Sequence, residues 1–222
     1  MDAVIKVGGS LAKKPLILTT LGNKLDELSK KHSLTVVPGG SKFADVVREF
    51  DHKYTLSSYA THKMAILGMD QFGLLLSQII HCSYTTYSLR DAKQFSEDKT
   101  VPIILPTELL FKEAPFEPSW DVTSDSIAAY VASRLNAVKL LLVKDVDGIF
   151  TSNPKNHSDA KLIPEISPRK LLTSAQRTCV DKFLPKLLLK EDLECYVVNG
   201  AYPSRVEAIL AGQNTVCTLI KA

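Results

Sequence analysis

Apolar positions along this chain fall into two alternating patterns. Short, mostly apolar runs at Val4–Val7, Leu34–Val37, Val101–Leu105, Leu140–Val143 and Cys195–Val198 lack polar alternation, as strands buried on both faces do. Val216–Ile220 reads as a closing strand. Between these runs, apolar residues recur every three or four positions. Leu21, Leu25 and Leu28 mark one face of a helix over Leu16–His32, and Phe43, Val46, Val47 and Phe50 mark another that opens at Ser41. Met64, Leu67, Leu74 and Leu75 predict one long helix, or two abutting ones, across Thr55–Cys82. Ile127, Val131 and Leu135, with Ala128 and Ala132 beside them, predict a helix that Thr123 or Ser124 caps and that Asp125 favours from its first turn. A helix over Val180–Lys190 would carry Lys182 and Lys186 one turn apart, and Ser204 would cap a short helix ending at Gly212. Ser83–Pro118, with Pro102, Pro106, Pro115 and Pro118, is the least regular part and reads as one strand among loops. Strands and helices in alternation predict an α/β fold: a three-layer αβα sandwich with a mainly parallel central sheet, as a single domain over residues 1–222.

The polar residues with chemical potential cluster where strands end. Lys6 precedes Gly8-Gly9-Ser10, and the second strand runs into Pro38-Gly39-Gly40-Ser41. The run Leu140–Val143 ends at Lys144-Asp145-Val146-Asp147-Gly148. Parallel strands would bring all three turns to one edge of the sheet, where ligands bind in open α/β folds. Glycine pairs allow a close backbone approach, and their amides can cradle phosphate oxygens; a tight turn beside a snorkelling lysine is the plainer alternative. Neither turn is a Walker loop or the three-glycine dinucleotide fingerprint. Thr151–Pro164 is polar and turn-rich enough to be a lid or binding loop.

Composition narrows the function. With 222 residues, 45% of them hydrophobic, the chain can fill a sizeable core. A net charge of +3 without a Lys/Arg run speaks against a nucleic-acid partner. No apolar run approaches a membrane span, and the N-terminus opens on a strand and not on a secretory leader. Cys82, Cys179, Cys195 and Cys217 are scattered without metal spacing, so we read them as reduced thiols of a cytoplasmic protein and assign no metal-ligating residues.

Several segments together resemble the amino acid kinase superfamily, with its carbamate-kinase-like fold. They are Lys6-Val-Gly-Gly-Ser10, Pro38-Gly-Gly40, Ser124-Asp-Ser-Ile-Ala-Ala, Asp145-Val-Asp-Gly-Ile-Phe-Thr with Asn153-Pro-Lys155, and Asn199-Gly through Ile209-Leu-Ala-Gly212. Trp120-Asp-Val-Thr-Ser-Asp125, Cys179-Val-Asp-Lys182 and the stretch from His62 to Asp70 look most like its archaeal methanofuran-biosynthesis branch, whose acceptor is a phosphate monoester of an aminomethylfuran. The resemblance implies an ATP- and Mg2+-dependent kinase acting on a small phosphorylated molecule, with the chain as part of a homo-oligomer. It implies that Lys6 contacts the transferring phosphoryl group and that Asp125 orients lysines. A second catalytic lysine would be Lys186 by spacing, or Lys182 at a family glycine position. Gly8, Gly9 and Ser10 would meet the nucleotide phosphates. Lys144, Asp145, Asp147, Gly148, Phe150, Asn153 and Lys155 would complete the nucleotide site, in a lobe formed mainly by residues 119–222. Gly39, Gly40, Ser41, Lys42, His62 and Thr123 would hold the acceptor, mainly in residues 1–118, and Lys13, Lys14 and Arg90 offer further cations for its phosphate. At the position before Asp145 the family carries threonine, and here it is Lys144. A nucleotide-binding storage or regulatory protein on the same fold, similar to the molybdenum-storage relatives, is the competing reading. A dehydrogenase is third, because its glycine fingerprint is missing.

Overall fold

A computed structural model describes residues 1–154, 156–173, 179–191 and 193–221. Ten strands and nine α-helices follow one another among them. The strands are β1 (Ala3–Val7), β2 (Leu34–Pro38), β3 (Ser83–Thr86), β4 (Val101–Ile104), β5 (Lys139–Lys144), β6 (Ile149–Phe150), β7 (Leu162–Ile163), β8 (Glu165–Ile166), β9 (Glu194–Asn199) and β10 (Thr218–Ile220). The helices are α1 (Pro15–Ser29), α2 (Ser41–Tyr54), α3 (Ser58–Ser77), α4 (Leu89–Glu97), α5 (Thr107–Glu113), α6 (Ser124–Arg134), α7 (Pro168–Thr173), α8 (Leu184–Leu188) and α9 (Pro203–Leu210). Among the described residues, eight strands form one sheet in the order β3-β4-β2-β1-β5-β9-β10-β8. Neighbours run parallel except at β9–β10, and β6 and β7 form a separate antiparallel ladder at the two ends of the polar Thr151–Pro164 stretch.

Strand alternation divides the central strands between two cores. Val4, Leu140 and Leu142 face one side and pack with Ile127, Ala128 and Val131 of α6. Ile5, Val7, Leu141 and Val143 face the other, against Leu21, Leu25 and Leu28 of α1. All of these side chains are buried, and each valine, leucine or isoleucine contributes roughly 1.5–3 kcal/mol relative to exposure. Helices on both faces of a mainly parallel sheet are the three layers that the alternating pattern predicts.

Four local readings change. Ser83–Pro118 is regular: it folds as β3, α4, β4 and α5. Its prolines read as breakers, yet Pro106 occupies the N-cap of α5, where a missing amide hydrogen loses nothing, and Ser88 caps α4 by accepting from the Asp91 amide at 3.2 Å. The helix expected over Val180–Lys190 forms only at Leu184–Leu188, because Asp181 is engaged elsewhere through both its amide and its carboxylate. On α2, Ala44 and Val47 face the core, while Phe43, Val46 and Phe50 are exposed. Val216 is likewise exposed and precedes β10.

The two Gly-Gly turns pack against each other. A Cβ on Gly9 would sit 2.2 Å from the Ser41 amide nitrogen, and one on Gly39 would sit 2.7 Å from the Gly9 nitrogen. Backbone conformation does not demand glycine here: the Gly8 φ is −64° and the Gly40 φ is −79°. Close approach does. The Gly8 amide donates to the Val143 carbonyl at 2.8 Å and the Gly39 amide to the Val7 carbonyl at 2.9 Å, so these two amides tie the turns to the sheet and are not available to a phosphate. Gly9→Ala is therefore expected to destabilise the protein by about 1–3 kcal/mol, the usual range for overpacking, seen as a lower thermal unfolding midpoint. An unchanged midpoint would show that the junction has slack.

Candidate active site

Register brings two lysines together. Lys6 in β1 pairs with Leu142 in β5. Lys144 lies two residues beyond Leu142, so its side chain leaves the same face of the sheet, over the N-terminus of α6. There it meets Asp125, in the first turn of that helix. The Lys144 Nζ lies 2.9 Å from Asp125 Oδ1 and 2.8 Å from Oδ2, and the Lys6 Nζ lies 2.9 Å from Oδ1. Relative exposure is 4% for Lys6, 2% for Asp125 and 9% for Lys144, so water screens this cluster poorly.

Asp125 is the one carboxylate that both ammonium groups contact, and Asp181 acts on them from further away. Burial alone would raise the Asp125 carboxyl, but the two lysines outweigh it and hold the group well below the usual carboxylate range. Burial pushes Lys6 down, with the Lys144 charge adding to it against the pull of Asp125. Burial acts on Lys144 in the same sense, but its two contacts to Asp125 hold it above the ordinary value. An anion in the adjoining cavity would meet both lysines.

Asp181 anchors the cluster from behind. Its carboxylate accepts from the Thr123 amide at 3.0 Å, the Thr123 hydroxyl at 2.9 Å and the Ser126 amide at 2.9 Å. It also accepts from the Ser126 hydroxyl at 2.5 Å and the Leu184 amide at 2.9 Å. Its own amide donates to Asp125 Oδ2 at 3.2 Å. This distant carboxylate satisfies the first turn of α6, and the Thr123 side chain does not cap the helix itself. Burial and the nearby Asp125 charge push the Asp181 carboxyl up, against the hydrogen bonds that favour its ionised form.

A cavity of about 360 Å³ opens over the two lysines. Of the residues expected at the site, Lys6, Gly8, Gly9, Ser10, Gly40, Ser41, His62, Thr123, Lys144 and Asp145 line it, and Asp125 lies beneath them. Lys13 lines it too. His62 is half-buried; burial pushes its imidazole down, and a hydrogen bond to the Ser119 backbone partly offsets that. Gly39 belongs to the glycine junction and is not in the lining. Asp147 turns away, accepting from Arg205 at 2.5 Å and from Asn199 at 3.0 Å. Gly148 packs on Thr218, and Phe150 lies in the β6–β7 ladder. The Asn153 carbonyl accepts from the Asn156 and His157 amides, in the loop between those strands, and Lys155 lies outside the described residues. Lys42 and Arg90 are exposed and do not line the cavity. Lys182 is exposed and pairs with Asp121 at 3.0 Å, and Lys186 is exposed with its Nζ 5.6 Å from the Phe183 ring centroid.

Arg48 and Trp120 are among the lining residues that sequence reasoning passed over. The Arg48 guanidinium stacks 4.6 Å from the Trp120 ring centroid, and the indole donates to Asp51 at 2.8 Å. A signal for Arg48 existed. Ser41, Ala44 and Arg48 fall at i, i+3 and i+7 of α2, one face starting from the Gly-Gly turn. Ile66, Met69, Val122 and Ile127 give the cavity an apolar wall.

Removing the Asp125 charge should leave two buried ammonium groups unpaired. Asp125→Asn is expected to lower stability at neutral pH by about 3–5 kcal/mol. Since the folded carboxyl titrates below the ordinary aspartate value of 3.8, the charge stabilises fully above that value and progressively less as pH falls through and below it. Denaturant unfolding of both proteins should therefore show their difference shrinking below about pH 4. A difference constant from neutral pH down to pH 3 would contradict the ion-pair account.

Comparison with known proteins bears on this geometry. The family model described as the amino acid kinase family matches residues 1–199. A [5-(aminomethyl)furan-3-yl]methyl phosphate kinase from Methanocaldococcus jannaschii is 36% identical over 220 residues, covering 98% of this chain and 96% of the relative. An isopentenyl phosphate kinase from Methanothermobacter thermautotrophicus is 29% identical over 137 residues, covering 58% of this chain and 51% of its own length. The crystal structure of a uridylate kinase from Archaeoglobus fulgidus superposes with a TM-score of 0.79 at 20% identity, covering 99% of this chain and all of that one. A buried lysine–aspartate cluster at the carboxyl edge of a parallel sheet, beside two interlocked glycine turns, is thus found in a chain that belongs to the amino acid kinase family and is a phosphotransferase.

Proposed function

We propose that this kinase transfers the γ-phosphoryl group of Mg-ATP to a small phosphate monoester, [5-(aminomethyl)furan-3-yl]methyl phosphate, giving its diphosphate. The observation that carries the proposal is full-length similarity to a kinase of that name, in a chain whose cavity suits such an acceptor. A phosphate monoester brings close to two negative charges at neutral pH. Lys13, Arg48 and His62 line the cavity beside the buried lysines, and the apolar wall with Trp120 suits a small ring. Because such an acceptor is already ionised, no general base has to deprotonate it.

Lys6 neutralises charge on the moving phosphoryl group, and Asp125 keeps it aimed. Ser10, Gly9 and Asp145 line the cavity where the nucleotide phosphates would approach, and the proposed nucleotide site also includes Asp147, Gly148, Phe150, Asn153 and Lys155. Thr123, Gly40 and Ser41 border the acceptor side, and Gly39 supports them. No group of three or more His, Cys, Asp or Glu among the described residues could cage a metal. Asp145 in the cavity lining would help hold Mg2+ bound mainly through substrate phosphates and water, where the ion would supply charge neutralisation. No described helix is long and apolar enough to cross a membrane, in keeping with a cytoplasmic enzyme. The reading includes a homo-oligomer, supported by exposed Phe43, Val46 and Phe50 on α2 and by Leu67, Leu74 and Leu75 on α3.

Three measurements test this. Equal concentrations of the furan phosphate, its dephosphorylated alcohol, isopentenyl phosphate, UMP and glutamate are offered with Mg-ATP, and phosphorus NMR should show the furan diphosphate dominating. Preference for glutamate or the alcohol would refute a phosphate acceptor; preference for isopentenyl phosphate or UMP would keep the chemistry and discard the furan; tight nucleotide binding without turnover would favour the storage reading. Lys6→Ala should reduce kcat roughly 100- to 1000-fold while the protein stays folded. Arg48→Ala should raise the acceptor KM well above any change in the KM for ATP, and an equal change in both would remove Arg48 from the acceptor site.

A further inference from the structure

Phosphoryl transfer spreads negative charge over the equatorial oxygens of the moving group, more than one lysine can cover. By resemblance, the second cation would be Lys186 or Lys182. Neither lines the cavity: the Lys182 side chain is 81% exposed and pairs with Asp121, and Lys186 projects from α8 beside the Phe183 ring. A different lysine is already in place. We propose that Lys144, at the carboxyl end of β5, is the second catalytic cation, contacting the transferred phosphoryl group together with Lys6. This assignment rests on the kinase reading above.

Three observations support it. The first is geometry: the Lys6 and Lys144 ammonium groups leave one sheet face and both lie within 2.9 Å of the same carboxylate, so oxygens of one phosphoryl group can span them. An ammonium has three donors; Lys144 directs two at Asp125, and the third remains for an anion in the cavity it lines. The second is charge. Both ammonium groups contact one carboxylate, Asp125, while Asp181 acts on them from further away, so each keeps a share of its charge for an anion in the cavity. The third is rigidity. β5 is paired on both sides, by β1 and β9, and the Lys144 carbonyl accepts from the Gly200 amide at 2.8 Å. Lys182, by contrast, lies in an irregular segment, and Lys186 in a helix of 5 residues. A strand end holds a reacting geometry more closely than such a segment does.

In the step itself, an oxygen of the acceptor phosphate forms a bond to the γ-phosphorus while the bond from that phosphorus to the bridging oxygen breaks. The electron pair leaves on ADP, and no proton needs to move. Lys6 and Lys144 hold the equatorial oxygens throughout, and Asp125 holds both lysines.

The test measures kcat and both KM values, with Mg-ATP and the acceptor that the wild type prefers, for Lys144→Ala, Lys144→Met, Lys182→Ala and Lys186→Ala. Thermal unfolding reports whether each variant folds, and Lys144→Met retains an apolar stem if the alanine variant does not. Expected is a fall in kcat of about 100- to 1000-fold on loss of the Lys144 charge, with KM values changing little and with Lys182→Ala and Lys186→Ala near wild type. Added methylammonium or ethylammonium should restore part of kcat to Lys144→Ala, a response that a merely structural lysine would not give. A folded Lys144 variant with near-normal kcat, or the large loss falling on Lys186→Ala or Lys182→Ala instead, would overturn the assignment. Wild-type protein that turns over no acceptor would overturn the kinase reading and this assignment with it.

Discussion

Two buried ammonium groups share one buried carboxylate, and much of the surrounding architecture serves to keep them there. Removing charge from water is expensive, and a lone buried lysine would lose its proton or unfold its surroundings. Asp125 makes the pair tolerable, but only because its own position is fixed. The amide of Asp181 donates to it, and the Asp181 carboxylate ties together Thr123, Ser126 and Leu184. The beginning of α6, the segment before α8 and the ends of β1 and β5 are thus one electrostatic unit. Both ammonium groups face the cavity.

The glycine turns set the shape above that charge. Their glycines allow two strand-to-helix turns to touch, which brings Ser10 and Ser41 into one lining. Ser41 is held at a φ of 51°, a left-handed conformation that is costly outside glycine and that the packed junction imposes. Precision in the backbone and positive charge beneath it are the two requirements of phosphoryl transfer, which asks for positioning and neutralisation more than for covalent chemistry.

Helical periodicity placed α1, α2, α3 and α6, and apolar runs placed β1, β2, β4, β5 and β9, although on α2 and α3 most of the marked positions, among them Phe43, Val46, Phe50, Leu67, Leu74 and Leu75, are exposed. The same logic failed at Ser83–Pro118, where prolines sit at a strand and a helix cap without ending either element, and at Val180–Phe183, where a polar tertiary contact overrides helix propensity. At the site, Lys6, Asp125 and both glycine pairs were legible from spacing and resemblance, and their neighbourhood is real. Arg48 had a helical-face signal that went unused, while its stacking on Trp120 from a distant segment has no local signature.

The sequence by itself determined that this is an α/β chain with strand-end turns built for anionic ligands, because composition and periodicity act residue by residue. Tertiary structure alone decided which charges meet. Lys144 reads in sequence as a nucleotide-site residue before an Asp-Val-Asp-Gly turn; pairing Lys6 with Leu142 put it two residues away on the same face, within reach of Asp125. Lys182 and Lys186 read as stronger candidates and lie outside the cavity. Strand register and helix placement are set by the packing of the whole core, and a lysine acquires a buried partner only through them.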